Sequence, residues 1–302
     1  MNRRNFVQNT LLVSGTLLGS VKIWSNETNY QKKFQLKYAP HLGMFRNSVG
    51  DDPIDQLHFM ADNGFRAFED NGMKGRDVSL QQQMAKTMEE RGLEMGVFVA
   101  SRVYWQEPNL AGGDQGKREE FLQEIIDSVE VAKRVRATWM TVVPGQVDLR
   151  KNFGYQTANV VESLKRASEI LEPHGLVMVL EPLNFRDHPG MFLTKMPQAF
   201  EICRSVDSPA CKILCDIYHQ QITEGNLIPN IDESWEEIAY FQIGDNPGRK
   251  EPTTGEINYK NIFKHIHDKG FNGILGMEHG NAKPGKEGEE ALIKAYREVD
   301  SF

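Results

Sequence analysis

The sequence is poor in cysteine: its 302 residues contain three, Cys203, Cys211 and Cys215, and no CxxC pair. Three closely spaced cysteines do not make a disulfide framework, and no Cys/His pairing indicates zinc. We therefore expect all three to be small buried side chains. Basic residues are also outnumbered by acidic ones, 35 to 42. The net charge of −7 disfavours a nucleic-acid partner, because binding to a phosphate backbone relies on excess basic charge.

Long apolar runs are missing as well, and the one apolar segment near the N-terminus, residues 10–21, is too short to span a bilayer as a helix. It follows Asn2-Arg3-Arg4-Asn5-Phe6, and a basic stretch before a short apolar one is typical of an export signal. The paired arginine resembles a twin-arginine signal. We expect residues 1–30 to direct export to the periplasm without stable membrane insertion. The alternative is a cytoplasmic protein, since no Ala-x-Ala cleavage site precedes Lys32.

From Leu36 onward, short apolar runs alternate with longer amphipathic stretches. Eight runs resemble strands: 36–45, 65–69, 93–100, 138–143, 176–181, 212–216, 238–244 and 273–280. Seven stretches have helical periodicity: 54–63, 80–91, 118–134, 155–174, 195–205, 259–269 and 287–299, whereas 221–237 is less regular. Eight βα units within residues 31–302, without a linker, predict a single-domain α/β protein, a (β/α)8 barrel. The alternative fold is a doubly wound open sheet. Such a sheet usually has a GxGxxG turn after its first strand, and this sequence has none there.

Oxygen-bearing side chains end five of these strands: Glu69, Glu181, Asp216, Gln242 and Glu278. The carboxyl ends of barrel strands meet at one mouth, where barrel enzymes place their active sites. A single acidic residue at a strand end is often a helix N-cap or a rim charge. Several on consecutive strands indicate a site, because clustered carboxylates repel one another unless a cation or a shared proton intervenes. Hard oxygen ligands of this kind favour Mg2+, Mn2+ or Ca2+, and Co2+ is a further option.

The loops that follow these strands offer candidates for substrate contacts. Arg249 can hold a carboxylate in its guanidinium fork, and His219 can bond a hydroxyl or carbonyl oxygen. Taken singly, such residues are more often an ion pair and a structural histidine. Four aromatic residues are candidates to pack against a sugar ring: Phe45, Trp105, Tyr155 and Phe185.

Three segments in order carry a family resemblance: LEPLNFRDHPGMFL (180–193), CDIYHQQ (215–221) and FQIGDNPGRKEPTTGEINY (241–259). Together with GMEHG (276–280), they closely resemble hydroxypyruvate isomerases of the xylose isomerase-like barrel superfamily. The resemblance runs from about Lys37 to the C-terminus and is strongest from Leu180 to Tyr259. It implies a (β/α)8 fold, a small hydroxycarbonyl or sugar substrate and one divalent cation. Relatives are often dimers or tetramers, which implies a homo-oligomer.

The resemblance also implies residue roles. The family's metal ligands correspond to Glu181, Asp216, Gln242 and Glu278, and the two glutamates correspond to its acid/base pair. Positions equivalent to His219 and Arg249 contact substrate oxygens in relatives, Asp187 stands where ketose epimerases have an acidic substrate contact, and Glu69 completes the set of candidate substrate contacts. Gln242 replaces the histidine of sugar epimerases, which predicts weaker metal binding. Lys250 and His279-Gly280 depart from the family's usual residues and leave the exact substrate open.

The reaction expected from this set is isomerisation through an enediol. One carboxylate removes the proton beside a carbonyl, the other delivers a proton to the neighbouring carbon, and the cation stabilises the charge on the two oxygens. Hydroxypyruvate would give tartronate semialdehyde, although export favours a sugar or an oxidised sugar derivative. The alternatives are an exported ketose 3-epimerase and a non-catalytic barrel that binds a sugar or a metal. An apurinic endonuclease of the same superfamily is disfavoured by the acidic net charge and by a total of eight histidines.

Overall fold

Eight parallel strands form the centre of the structure, a computed structural model that describes residues 33–302. The predicted export segment, residues 1–30, lies outside the described residues. The strands are β1 Lys37–Ala39, β2 Ala67–Phe68, β3 Glu94–Met95, β4 Trp139–Val142, β5 Val177–Leu180, β6 Cys211–Asp216, β7 Ile238–Gln242 and β8 Ile274–Gly276. Each falls within, or within one residue of, one of the eight runs singled out in the sequence.

The helices surround these strands. They are α1 Arg46–Val49, α2 Pro53–Asp62, α3 Val78–Arg91, α4 Gln115–Val135, α5 Phe153–Leu171, α6 Met196–Val206, α7 Ile217–Thr223, α8 Leu227–Ser234, α9 Tyr259–Asp268 and α10 Gly285–Val299. Short polar side chains cap the N-termini of several helices. Asp52 accepts a hydrogen bond from the N–H of Ile54 at 2.7 Å, and Asp114 accepts one from the N–H of Lys117 at 2.8 Å. The seven predicted helices are confirmed, and α7 and α8 fill most of the stretch that lacked clear periodicity. Within residues 33–302, no helix combines the length and apolar character needed to cross a membrane.

The strands close into a ring. Six pair side by side in the order β1-β8-β7-β6-β5-β4, and β2 pairs with β3. Single parallel bridges, His41 to Glu69 and Val99 to Thr141, join the two sheets at their edges. The predicted single-domain (β/α)8 barrel is therefore confirmed. Its three cysteines are buried and unpaired, as expected.

Small and branched side chains fill the inside of the ring. Every strand except β4 contributes one buried member of this cluster or ends within two residues of one: Ala39, Ala67, Val97, Val179, Leu214, Tyr240 and Ile274. A larger cluster lies between the strands and the helices. Since side chains alternate between the two faces of a strand, residues two positions further along also point inward, at the carboxyl end of the barrel.

Hydrogen bonds tie the loops at this end to one another. In one group, the loops after β3 and β4 pair through Pro108 and Gly145, and those after β4 and β5 through Gln146 and Met191. In the other group, the N–H of Gly280 after β8 donates to the carbonyl of Arg249 after β7 at 3.1 Å. The mouth of the barrel is thus bordered by two sets of loops, each joined internally by backbone hydrogen bonds.

Candidate active site

Alternation along the strands directs the predicted site residues to the mouth. Glu181, Asp216 and Gln242 each lie two positions beyond a member of the interior cluster, Val179, Leu214 and Tyr240 respectively. Glu278 lies four positions beyond Ile274 and shares the same phase. The pairing aligns Asp216 with Gln242, and Gln242 with Gly276. Strands β5 to β8 therefore bring the four predicted ligands to one end of the barrel.

A compact group of buried side chains stands between β5 and β6. The ligand atoms of Glu181, Asp216 and His219 all lie within 4.8 Å of one another. The Nε2 atom of His219 is 3.6 Å from Glu181 Oε1 and 3.7 Å from Asp216 Oδ2. Asp216 also begins α7 by accepting the N–H of His219 at 3.1 Å, so one carboxylate both caps the helix and fixes the histidine beside it.

Burial and mutual repulsion shift the ionisation of this group. Burial, together with the charges of Glu278 and Asp216, raises the pKa of Glu181 well above its ordinary value. Burial also raises the pKa of Glu278, although Arg249 opposes the shift. Burial lowers the pKa of His219 to about 4, so that the imidazole is neutral near pH 7. Strongly shifted groups that share one cleft are a feature of catalytic sites.

Arg249 links β6 to β8 across the mouth. Its Nη2 atom donates to Asp216 Oδ2 at 3.0 Å and to Glu278 Oε2 at 2.6 Å, and its Nε atom donates to the carbonyl of Glu278 at 3.0 Å. The guanidinium also lies over the ring of Tyr218, 4.9 Å from its centre. Asn71, in the loop after β2, donates to the other oxygen of Glu278 at 2.7 Å. The Glu278 carboxyl is thus the better hydrogen-bonded of the two, because the Glu181 carboxyl makes no hydrogen bond with residues 33–302.

Glu69 lies inside the barrel, next to Gln242. Its carboxyl accepts from Tyr240 Oη at 2.8 Å and from Gln242 Nε2 at 3.1 Å. It fits there because position 276 is glycine: a Cβ on Gly276 would stand 1.9 Å from Glu69 Oε2. Burial and the charge of Glu278 raise the pKa of Glu69 to about 8. In the structure Glu69 therefore accepts a hydrogen bond from Gln242 and holds its side-chain amide in place. The predicted contact of Glu69 with substrate stays a prediction.

The donor set fits a hard divalent cation. The amide Nε2 of Gln242 is committed to Glu69, which leaves Oε1, a buried oxygen with no hydrogen-bond partner in the described residues. A buried carbonyl oxygen that accepts no hydrogen bond destabilises the folded protein, so such an atom is unusual unless a ligand binds it. Carboxylates of Glu181, Asp216 and Glu278 at the same end of the barrel supply the negative charge. These residues could therefore hold a hard divalent cation.

Asp187 lies in the loop after β5, near His219 but not in the carboxylate cluster. Its Oδ2 atom accepts from Asn184 Nδ2 at 3.0 Å and from Tyr218 Oη at 2.8 Å. The hydrogen bond from Asn184 lowers the pKa of Asp187. The residue is solvent-exposed, and its predicted contact with substrate stays a prediction.

Several residues of the site were not assigned a role from the sequence. Asn71 and Asn184 are polar loop residues of a kind that is common everywhere, and the site residues they contact, Glu278 and His219, are 207 and 35 residues away. His188 stands between Trp105 and His219: its ring stacks on Trp105 at 5.0 Å and meets His219 edge-on at 5.4 Å. Trp105 is half exposed, as suits a contact surface for a ligand, whereas Phe45 is buried in the core.

The fold and the site together define a class: (β/α)8 barrels with a cluster of buried carboxyl groups at the mouth that could hold a metal ion. Residues 57–299 match the family described as xylose isomerase-like TIM barrel, and the chain belongs to this family. A putative hydroxypyruvate isomerase of Danio rerio is 30% identical over 87% of this chain and 96% of that protein. A hydroxypyruvate isomerase of Escherichia coli strain K12 is 34% identical over 54% of this chain and 64% of that protein. These comparisons place the chain among isomerases.

Solved structures share the fold at lower identity. The Brucella melitensis protein described as an AP endonuclease of family 2 superposes with a TM-score of 0.74 at 24% identity and covers 84% of this chain and 96% of its own. A D-psicose 3-epimerase from Clostridium cellulolyticum H10 superposes with a TM-score of 0.67 at 20% identity, over 87% and 91%. At such identities the likeness establishes the barrel and does not transfer an activity.

Proposed function

We propose that this protein isomerises a small hydroxycarbonyl compound by proton transfer through an enediol, and that hydroxypyruvate, giving tartronate semialdehyde, is the first substrate to test. One observation carries the proposal. Two largely buried carboxyl groups, Glu181 from β5 and Glu278 from β8, share one mouth, and both have raised pKa values. A carboxylate with a raised pKa is a stronger base for a carbon-bound proton, and its acid form persists at neutral pH to return one.

The two glutamates have different surroundings, which suit them to different steps of the proton transfer. Glu278 is held by Arg249 and Asn71, which favour its ionised form. Glu181 has no such donors, and the charge of Glu278 helps to raise its pKa. Glu278 is therefore suited to remove the proton beside the carbonyl, and Glu181 to deliver one to the adjacent carbon. The reverse reaction uses the same pair with the roles exchanged.

The remaining polar groups serve the two oxygens that exchange oxidation state. His219 and Arg249 offer N–H groups at the mouth, and Arg249 also matches a substrate carboxylate. A divalent cation held by Glu181, Asp216, Gln242 and Glu278 would supply Lewis-acid stabilisation of the enediolate charge. We propose Mg2+ or Mn2+, with Co2+ as the third metal to test. The relatives named hydroxypyruvate isomerase support this substrate class.

Deuterium exchange followed by NMR tests the proposal. The protein is incubated in D2O with hydroxypyruvate or with one of a panel of ketoses, after EDTA treatment and again after addition of Mg2+ or Mn2+. We expect metal-dependent deuterium uptake beside one carbonyl and loss of that uptake in both Glu181→Gln and Glu278→Gln. Product analysis then separates an isomerase from a ketose 3-epimerase, because an epimer retains the position of its carbonyl. Tight sugar or metal binding without exchange would instead indicate a non-catalytic barrel.

We further propose that residues 1–30 direct export by the twin-arginine route. The support is the Arg3-Arg4 pair before Phe6 and the moderately apolar segment after it. A fluorescent reporter fused to residues 1–35 should reach the periplasm, and Arg3→Lys with Arg4→Lys should retain it in the cytoplasm. A reporter that stays cytoplasmic, or one that is exported equally well with both lysines, would contradict export by this route.

A further inference from the structure

We propose that Asn184 is a positioning residue that fixes the tautomer of His219, with the ring proton on Nε2. The histidine then acts as a hydrogen-bond donor to a substrate oxygen and does not act as a metal ligand. The substrate contact rests on the function proposed above. The tautomer does not, because it follows from contacts within the protein.

The Nδ1 atom of His219 faces two N–H donors from one residue. The backbone N–H of Asn184 donates to it at 3.2 Å, and the side-chain Nδ2 lies 2.6 Å away. A ring nitrogen that accepts an N–H cannot carry a proton itself. The side chains of Asn184 and His219 are both buried, so water does not compete for Nδ1. The single ring proton must therefore lie on Nε2.

The amide of Asn184 is itself held in one orientation. Its Oδ1 atom accepts the backbone N–H groups of Arg186 and Asp187, each at 2.9 Å. Rotating the amide by half a turn would replace these two hydrogen bonds with two donor–donor contacts. The backbone of the loop after β5 thus sets the position of Nδ2, and Nδ2 in turn sets the tautomer of His219.

The tautomer decides what Nε2 can do at the mouth. Nε2 lies 3.6 Å from Glu181 and 3.7 Å from Asp216, so its N–H faces carboxylate oxygens. A protonated Nε2 has no lone pair for a cation, although His219 lies as close to the two carboxylates as a third ligand would. Within residues 33–302 this N–H makes no hydrogen bond, so it can donate to a substrate oxygen that sits between the carboxylates.

NMR of 15N-histidine-labelled full-length protein, recorded without substrate and both with and without Mg2+, tests the tautomer directly. The His219 signals are assigned by their absence from His219→Gln. We expect Nδ1 to resonate as a nitrogen without a proton and Nε2 as a protonated one, in both samples. In Asn184→Asp, the loop bonds to Oδ1 remain, but an oxygen replaces the donor Nδ2. The backbone N–H of residue 184 still faces Nδ1 at 3.2 Å, but a carboxylate oxygen at the position of Nδ2, 2.6 Å from Nδ1, is the stronger partner because its hydrogen bond is charge-assisted. The ring proton should therefore move to Nδ1.

Asp187→Asn serves as the matched NMR control, because it changes the other partner of Asn184 Nδ2 and leaves the donors to His219 in place. Its His219 signals should match those of the unmodified protein. Should Asn184→Asp fail to fold, Asn184→Ser also removes the Nδ2 donor, and a second set of His219 signals with protonated Nδ1 should appear. A protonated Nδ1 in the unmodified protein, or unchanged His219 signals in the Asn184 variants, would overturn the proposal.

Turnover supplies a separate readout. With the substrate found by deuterium exchange, Asn184→Asp should lower kcat by about 100- to 1,000-fold, the usual effect of losing one hydrogen-bond donor to the oxygen that gains charge. Its circular dichroism spectrum should stay unchanged. If the unmodified protein turns over no substrate but shows the expected His219 signals, the proposed function fails and the tautomer assignment stands.

Discussion

Replacing Gly276 with alanine should disrupt the inside of the barrel beneath the active site. The new Cβ would lie 1.9 Å from Glu69 Oε2 and 2.7 Å from its Cδ, so the carboxyl must leave its place. It would then lose the hydrogen bonds from Tyr240 and Gln242. Overpacking typically costs about 1–3 kcal/mol, and each lost hydrogen bond adds about 1 kcal/mol. We therefore expect Gly276→Ala to lower the free energy of unfolding by about 3–5 kcal/mol.

Urea unfolding followed by circular dichroism measures this loss. Gly280, which lies in the loop after β8, provides the control. A Cβ on Gly280 would meet the end of the Lys250 side chain at 2.9 Å, and that flexible chain can move aside. Gly280→Ala should therefore change the free energy of unfolding by no more than about 0.5 kcal/mol. An equal loss in both variants would indicate a general intolerance of the strand to side chains.

A double-mutant cycle with Glu69→Ala tests the stated cause. Glu69→Ala alone removes the carboxyl and leaves Tyr240 and Gln242 without their acceptor, which destabilises the protein. In the double variant the methyl group added at position 276 has room, so the two losses should sum to at least about 1 kcal/mol more than the measured total. Losses that add within about 0.5 kcal/mol would refute the contact between Gly276 and Glu69 as the cause.

Three further predictions concern ionisation, metal binding and substrate binding. The pKa of Glu69 rises from 4.5 to about 8 on folding, so its protonated form favours the folded state; this stabilisation is complete below pH 4.5 and is lost as the pH rises through about 8. The free energy of unfolding, measured without metal, should fall over that range more steeply than in Glu69→Gln, and an equal slope would contradict the shift. Gln242→Leu removes the unpaired Oε1 and should weaken Mn2+ binding about tenfold or more by isothermal titration calorimetry; an unchanged Kd would exclude Gln242 as a ligand. Arg249→Lys retains the charge but cannot reach Asp216 together with the carboxylate and the carbonyl of Glu278, so kcat/KM should fall by at least about tenfold; an unaffected kcat/KM would remove Arg249 from the substrate site.

The strands and the residues that end them could be predicted because two simple regularities coincide. Side chains alternate along a strand, and parallel strands in a barrel share one carboxyl end. Glu181, Asp216 and Gln242 therefore converge whatever the details of the loops. The short helices α7 and α8 were not predicted, because α7 begins directly at the last residue of β6 and α8 carries a proline in its first turn. Neither has the long apolar periodicity that reveals a helix packed on a barrel.

The partners of the site residues could not be predicted, since they depend on contacts between distant parts of the chain. Asn71 and Glu278 are 207 residues apart, and Tyr240 and Glu69 are 171 apart. Only the closed ring brings β2 close to β7 and β8. The orientation of the Gln242 amide and the tautomer of His219 are consequences of such contacts. Neither the amide orientation nor the tautomer can be read from residue type and spacing alone.

The two sets of loops at the mouth, each joined internally by backbone hydrogen bonds, have a mechanical consequence. One set, after β3, β4 and β5, carries Trp105 and Asn184; the other, after β7 and β8, carries Arg249 and Gly280. His219, in α7, is hydrogen-bonded to Asn184 of the first set, and Arg249 belongs to the second. A molecule held between His219 and Arg249 would therefore restrain the relative movement of both sets. Backbone amide hydrogen exchange should then slow in both sets of loops together when substrate binds.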